Sequence, residues 1–370
     1  MRYVLQFHFD PDFEQHRLRP KTRVDGRVDQ FDLGFAQNVA AGQVLAEWVE
    51  VRPDTALESE AIVSENLAFP CGAGCRIDPR DPRSLVAAVN GHVSYVDGRI
   101  TVHDTLTVGR DIDFHTGNIV AIGDVLIGGG IRSGFEVSGR NVTVRGTVEA
   151  CRLTGRGDVA CPGGIQGANR ASIRAGKSLR ARFCETASLH AKQNILIDGA
   201  SMHCRLYAGE KLAVKGRLVG GEAYCGEAIY VGERLGGGGQ SQTRLLLGYE
   251  PEIISRDHHL KGLVREALLE IADCHENARR GEAQAAECEP LLERALARLE
   301  LLKLQLRALW SHPAALRHFS ACRVIVPGVV GANVEICIGE AVLQAPEGAR
   351  DVVFRYEDGE ICMQSPALHK

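Results

Sequence analysis

A 17-residue repeat constrains this chain more than any other feature. The apolar positions Val125, Val142, Val159, Leu179, Ile195, Leu212 and Ile229 recur at spacings of 17, 17, 20, 16, 17 and 17. Two residues on lies a second column, Ile127, Val144, Cys161, Ala181, Ile197, Val214 and Val231. A third column runs Val137, Leu153, Ile173, Leu189, Leu206 and Ala223. Apolar residues at i and i+2 have the period of a strand. The intervals leave no room for a crossover helix, so each unit must be one coil of short strands stacked on the next. That is a parallel β-helix, or β-solenoid. Equivalent residues then stack about 4.8 Å apart. A six-residue subperiod is absent, which favours the right-handed form over the left-handed hexapeptide helix. Only 5% of residues are aromatic, as expected for a narrow core of aliphatic ladders.

Glycine follows the first column by four residues at Gly129, Gly146, Gly163, Gly199 and Gly216, and is read as a bend with positive φ. The irregular interval coincides with Gln166 to Arg170, read as a small loop insertion. Gly236 to Gly239 ends the repeat.

The period then changes. Ile253, Leu260, Ala267 and Cys274 are seven apart, accompanied by Val264, Ile271 and Ala278. Leu292, Leu299 and Leu306 are also seven apart, accompanied by Ala295, Leu302 and Leu309. These are heptad seams. With a turn at Arg279-Arg280-Gly281 and Pro290 in the first turn of the second helix, they predict an antiparallel coiled-coil hairpin. Its outer faces carry Arg265, Glu266, Glu270, Glu293, Arg294, Arg298 and Glu300, the pattern of solvated helices. Strand periodicity returns past Pro313, in 322–327, 333–338 and the hairpin 352–363.

Residues 1–108 read as short strands with turns at Asp25-Gly26, Asn90-Gly91 and Asp97-Gly98. The expected organisation is a mainly β chain: an N-terminal mostly-β domain (1–108), a parallel β-helix (109–248), an antiparallel coiled-coil hairpin (249–312) and a C-terminal β segment (313–370) returning to the β body.

Function classes narrow by exclusion. No stretch of 18 apolar residues exists, so no membrane span is expected. The N-terminus lacks a signal-peptide layout and the 12 cysteines are scattered, which together predict a cytoplasmic protein with reduced thiols. Cys71 and Cys75 form a close pair with no matching second pair, so no metal site is expected. Net charge is −5 over 1–108, +6 over 109–248 and −5 over 249–370. A +6 middle is too dilute for a nucleic-acid footprint, and a nucleic-acid-binding rod stays a minor alternative. β-Helices also carry polysaccharide lyases and transferases, so a carbohydrate-active enzyme is the main alternative. Such an enzyme needs clustered carboxylates, whereas Asp124, Glu136, Glu149 and Asp158 are single. His190 and His203 fall in different columns, and His258-His259 sits on the helical segment. No Gly-Lys-Ser/Thr phosphate loop is expected, and Gly236 to Gly239 is read as a turn or cap. No catalytic, cofactor or metal residue is therefore assigned. Protein partners are expected through the hairpin, and self-association into a homo-oligomer is a second possibility.

Several motifs carry a family resemblance. They include Gly42-Gln43-Val44-Leu45-Ala46, Asn90-Gly91-His92-Val93 and Asp97-Gly98-Arg99-Ile100-Thr101-Val102. The most specific are Thr116-Gly117-Asn118-Ile119, Gly123-Asp124-Val125 and Arg132-Ser133-Gly134-Phe135. Gly164-Ile165-Gln166-Gly167, Pro327-Gly328-Val329 and Asp358-Gly359-Glu360-Ile361 also match. With the helical insertion, this resembles the flagellar assembly protein A family across nearly the whole chain. One departure is Arg52 to Leu57, which lacks the glycines the family carries there. The resemblance implies a cytoplasmic, non-enzymatic bacterial protein linked to flagellar assembly or polar organisation.

Overall fold

The computed structural model describes residues 2–14, 21–22, 28–29, 31–52, 62–237, 239–279, 282–311 and 319–365. The expected turns at Asp25-Gly26 and Arg280-Gly281, and most of the Arg52 to Leu57 departure, lie outside them. The protein is mainly β: a parallel β-solenoid, a small antiparallel N-terminal region and two helices. The chain divides into two compact units, residues 1–189 and 190–370.

The first unit begins with a five-stranded antiparallel sheet in the order Val63–Ser64, Arg2–Phe7, Val44–Val51, Asp81–Ala87, Cys75–Asp78. A second sheet joins Asn38–Val39, Gly91–Val96 and Arg99–His103, with the turn between the last two made at Asp97-Gly98. Leu5, Leu45, Trp48, Leu85, Val93 and Ile100 form their shared core.

The coils follow, and the sequence columns are their ladders. On one side, Leu106, Val125, Val142, Val159 and Leu179 pair in parallel register from coil to coil. On a second side, Ile112, Ile131, Val148 and Ile165 form single bridges. On a third, Ile119, Val137, Leu153 and Ile173 stack. All are at most 2% exposed, so each aliphatic rung contributes about 1.5–3 kcal/mol of burial. The second unit also has three stacked sides: Ile195, Leu212, Ile229 and Val324 on one, Ser201, Leu218, Leu235 and Val330 on another, and Leu206, Ala223, Leu245 and Ile336 on the last. The helices α1 (Pro251–Ala278) and α2 (Glu282–Trp310) interrupt this stack between the strands Thr243–Leu247 and Arg323–Val330. The chain re-enters in register, Ala228 opposite Arg323. Antiparallel strands finish it: Ala341–Gln344 on Val334–Ile338, Arg350–Glu357 on Arg323–Val330, and outermost Glu360–Gln364, antiparallel to Arg350–Glu357.

Three local expectations are corrected. Gly129, Gly146, Gly163 and Gly216 do not have positive φ. They are glycine because the coils touch there: a Cβ on Gly163 would overlap the carbonyl oxygen of Gly146, and one on Gly216 would lie 2.7 Å from that of Gly199. Gln166 to Arg170 is not a loop but part of the strand Ile165–Ala175, which turns a corner through the positive φ of Ala168 and Asn169. Pro290 lies inside α2 rather than in its first turn. The helix starts eight residues earlier because Glu282 to Glu289 is rich in helix formers, whose propensity outweighs the local cost of the proline.

Candidate interaction surface at the helix pair

The first turns of α1 sit on an aromatic ladder of the second unit. One residue after each inward rung points outward, so His190, Tyr207 and Tyr224 stack on the solenoid surface. Ring centroids are 4.3 Å apart for His190 and Tyr207 and 4.8 Å for Tyr207 and Tyr224, the rings nearly parallel in both cases. Ile254 packs on the two tyrosines with Leu246 and Tyr249. The His258 ring stands edge-on to both tyrosines, with Nδ1 3.2 Å from the Tyr207 hydroxyl and Nε2 3.5 Å from that of Tyr224. Burial lowers the His258 pKa, Arg205 and Lys261 add to this, and Glu222 and Asp257 oppose it. Of the histidines singled out in the sequence, His190 and His258 pack against these tyrosines, whereas His203 and His259 are exposed.

Beyond this base, the helices contact each other. Ala267, Leu299 and Leu302 form a buried cluster with Leu260, Leu263, Val264 and Ile271 packed against it. Arg298 reaches from α2 to Glu270 at 3.0 Å and Glu266 at 3.7 Å. Of the heptad residues, Leu260, Val264, Ala267, Ile271, Leu299 and Leu302 meet in this cluster. The outer face is less polar than expected. Ala297, Leu301, Leu304 and Ala308, spaced four, three and four, form a stripe on α2 opposite the seam, with Leu301 57% and Leu304 60% exposed. Leu268 and Leu269 of α1 are also exposed. The sequence held this signal as a second heptad register among the charged positions.

The solenoid surface of the first unit is built differently. Its single carboxylates pair with arginines of a neighbouring coil: Asp124 with Arg140 at 2.7 Å, Glu149 with Arg132 at 2.8 Å, and Glu136 with Arg152 at 3.4 Å. Asp158 accepts the Ser178 N–H at 3.0 Å. The Arg140 hydrogen bond holds the Asp124 carboxyl below the ordinary range. Burial works to raise Glu149, but bonds from Arg132 and Ser133 leave it lowered. These carboxylates neutralise neighbours instead of converging as a general acid and base. Gly176-Lys177-Ser178, the tripeptide of a phosphate loop, forms a turn between two strands and precedes no helix. Cys71 is exposed; Cys75 donates to the Ile100 carbonyl at 3.2 Å, and burial with the adjacent Cys71 pushes its thiol up to about 11. Among the described residues no group of three or more His, Cys, Asp and Glu side chains is placed to hold a metal, and no helix is long and apolar enough to cross a membrane.

The motif residues near the start of the coils fasten the N-terminal region to them. The Asn118 N–H donates to the Phe31 carbonyl at 2.6 Å, and the Asn118 side chain accepts the Glu136 N–H at 2.8 Å. Asn38 bridges Val120 and Ile122 through its amide. Phe31, Phe114 and Phe135 pack as a trio with centroids 5.1–5.5 Å apart. Gly117 and Gly134 take the corners at φ of 65° and 91°.

Comparison with known proteins agrees with this architecture. Residues 104–361 match the Flagellar Assembly Protein A beta solenoid domain, and residues 3–98 match the Flagellar Assembly Protein A N-terminal region. No curated protein and no solved structure matches. Two family models that between them cover the N-terminal sheets, the coils and the returning strands place the chain in the flagellar assembly protein A family.

Proposed function

We propose that this protein is a non-enzymatic scaffold or adaptor in flagellar assembly, working in the bacterial cytoplasm, and that α1 and α2 form an antiparallel coiled-coil arm that binds a protein partner. Its coils are read as winding to the right, because they lack the six-residue subperiod of left-handed hexapeptide helices. The observation that carries the function is the bare Ala297–Leu301–Leu304–Ala308 stripe. The seam is already filled by Ala267, Leu299 and Leu302, so the stripe adds nothing to the fold. A second exposed apolar face on a helix is the usual mark of a binding surface. Arginine–carboxylate ladders on the first unit support the non-enzymatic reading, since each acid there has a structural partner.

The test replaces residues 262–305 with a short Gly-Ser linker, keeping the base around Asp257, His258 and Trp310. The β body should keep its melting temperature. Pull-down of flagellar components, or the mass by light scattering, should change, and motility of a cell carrying the variant should fall. A variant that folds and retains every partner, its mass and full motility overturns the arm. Retained partners with a changed mass assign the stripe to self-association.

A further inference from the structure

A row of cations crosses one outer face of the second unit. Lys211 pairs in register with Ala228, Ala228 with Arg323, and Arg323 with Arg355. Residues in register on adjacent strands share a face, with Cβ atoms of directly opposed antiparallel residues about 4.5–5.5 Å apart. Three cationic side chains therefore stand in one line, and the small Ala228 between the first two leaves a hollow. Its volume is about 290 Å³, and its walls include Lys211, Glu227, Ser320, Arg323 and Arg355. Like charges directly opposite across two strands are unfavourable. Elsewhere on the coils arginines are matched by carboxylates of the neighbouring coil, as Arg140 is by Asp124. Here no ion pair joins the three cations to any described residue, and the Nε of Arg355 is buried without an acceptor among the described residues. A guanidinium N–H out of reach of both water and protein acceptors is costly. Three cations against the one carboxylate of Glu227 leave a formal charge of +2 around the hollow.

We infer that this hollow is a binding site for a small phosphoryl dianion, free or as the ester of a small alcohol. A dianion matches the surplus charge, and its tetrahedral oxygens offer acceptors to a guanidinium fork, an ammonium and the Ser320 hydroxyl together. The size of the hollow admits a phosphoryl group with a few further atoms. This site is independent of the arm on α1 and α2.

Isothermal titration of the full chain with inorganic phosphate and with glycerol phosphate, at ionic strength held constant with sodium chloride, tests it. One saturable equivalent is expected with at least one of the two probes. Arg355→Gln and Arg323→Gln should each weaken that binding by about tenfold or more, the loss typical of one charge-assisted contact. Arg217→Gln, on another side of the coils, should leave it unchanged. Tighter binding of the ester points to an esterified ligand and tighter binding of phosphate to the free ion, and either supports the site. If Arg355→Gln fails to fold by circular dichroism, the exposed Arg323 and Lys211→Gln carry the test. No saturable binding of either probe, or equal affinity in Arg323→Gln, Lys211→Gln and the unaltered protein, overturns it.

Discussion

The indole N–H of Trp310 donates to the carboxylate of Asp257 at 2.8 Å, tying the last residue of α2 to the second turn of α1. Lys261 reaches the same carboxylate at 2.6 Å, and Asp257 is only 3% exposed. A buried carboxylate with two donors fixes how the helices leave the coils. Replacing it with Ala should cost about 1–2 kcal/mol, the range for hydrogen bonds to a charged group less the relief of its desolvation. Amide hydrogen exchange should accelerate in the first turns of α1 and the last turn of α2, while the coil strands keep their protection.

Val144 lies at 0% exposure in register with Ile127. Val144→Asp puts an unpaired charge in a ladder with no polar neighbour, and should cost several kcal/mol, in the range of about 4 or more. A melting temperature equal to that of the unaltered protein would contradict the register.

Two glycines should respond oppositely to the same change. Gly163→Ala drives a methyl into the Gly146 carbonyl and should destabilise by about 1–3 kcal/mol. Gly109 has open space around its missing Cβ and a φ that suits any residue, so Gly109→Ala should be neutral or stabilise by up to about 1 kcal/mol. Denaturant midpoints of the two variants check the contrast.

His92 stacks on His103 with centroids 5.3 Å apart. Burial first, and the second imidazole next, lower its pKa from 6.5. The folded state therefore holds fewer protons than the unfolded chain below that value. Its stability contribution is fully present above about pH 6.5 and is lost as pH falls through the lowered folded pKa. His92→Gln should flatten the stability profile between about pH 7 and 5, a window above the range where the lowered carboxylates Asp81 and Asp124 titrate. Urea melts at stepped pH measure this.

The three inward columns were legible because an inward residue in a coil has the same neighbours at every repeat, so its chemistry repeats as well. What glycine does in such a column was not legible. Composition shows that a side chain is missing, whereas only the stacked coils show that at Gly163 the cause is the Gly146 carbonyl and not the backbone angle. The left-handed corners at Ala168 and Thr186 are equally silent, since neither residue type announces positive φ. The stripe of Leu301 and Leu304 was present as spacing but masked by Glu293, Arg294 and Glu300 beside it. The seam between the helices could be read from Ala267 and Leu299, because burial there needs only a local partner. Lys211, Arg323 and Arg355 could not be brought together without register, because the two helices separate the first from the others.

The reversed strands at the last coils have a consequence for how copies of this protein avoid one another. A coil of parallel strands ends in a row of unsatisfied N–H and C=O groups that fits the first coil of any identical molecule, an invitation to fibre growth. Arg350–Glu357 lies antiparallel on Arg323–Val330, and Ala341–Gln344 does the same on Val334–Ile338. Ala341–Gln344 then presents the wrong polarity for another parallel coil, and on the other side Arg350–Glu357 interposes a reversed strand between the last coil and the outermost Glu360–Gln364. A stack whose coils are interchangeable thereby acquires a defined length, set by a change of chain direction instead of by any bulky stopper.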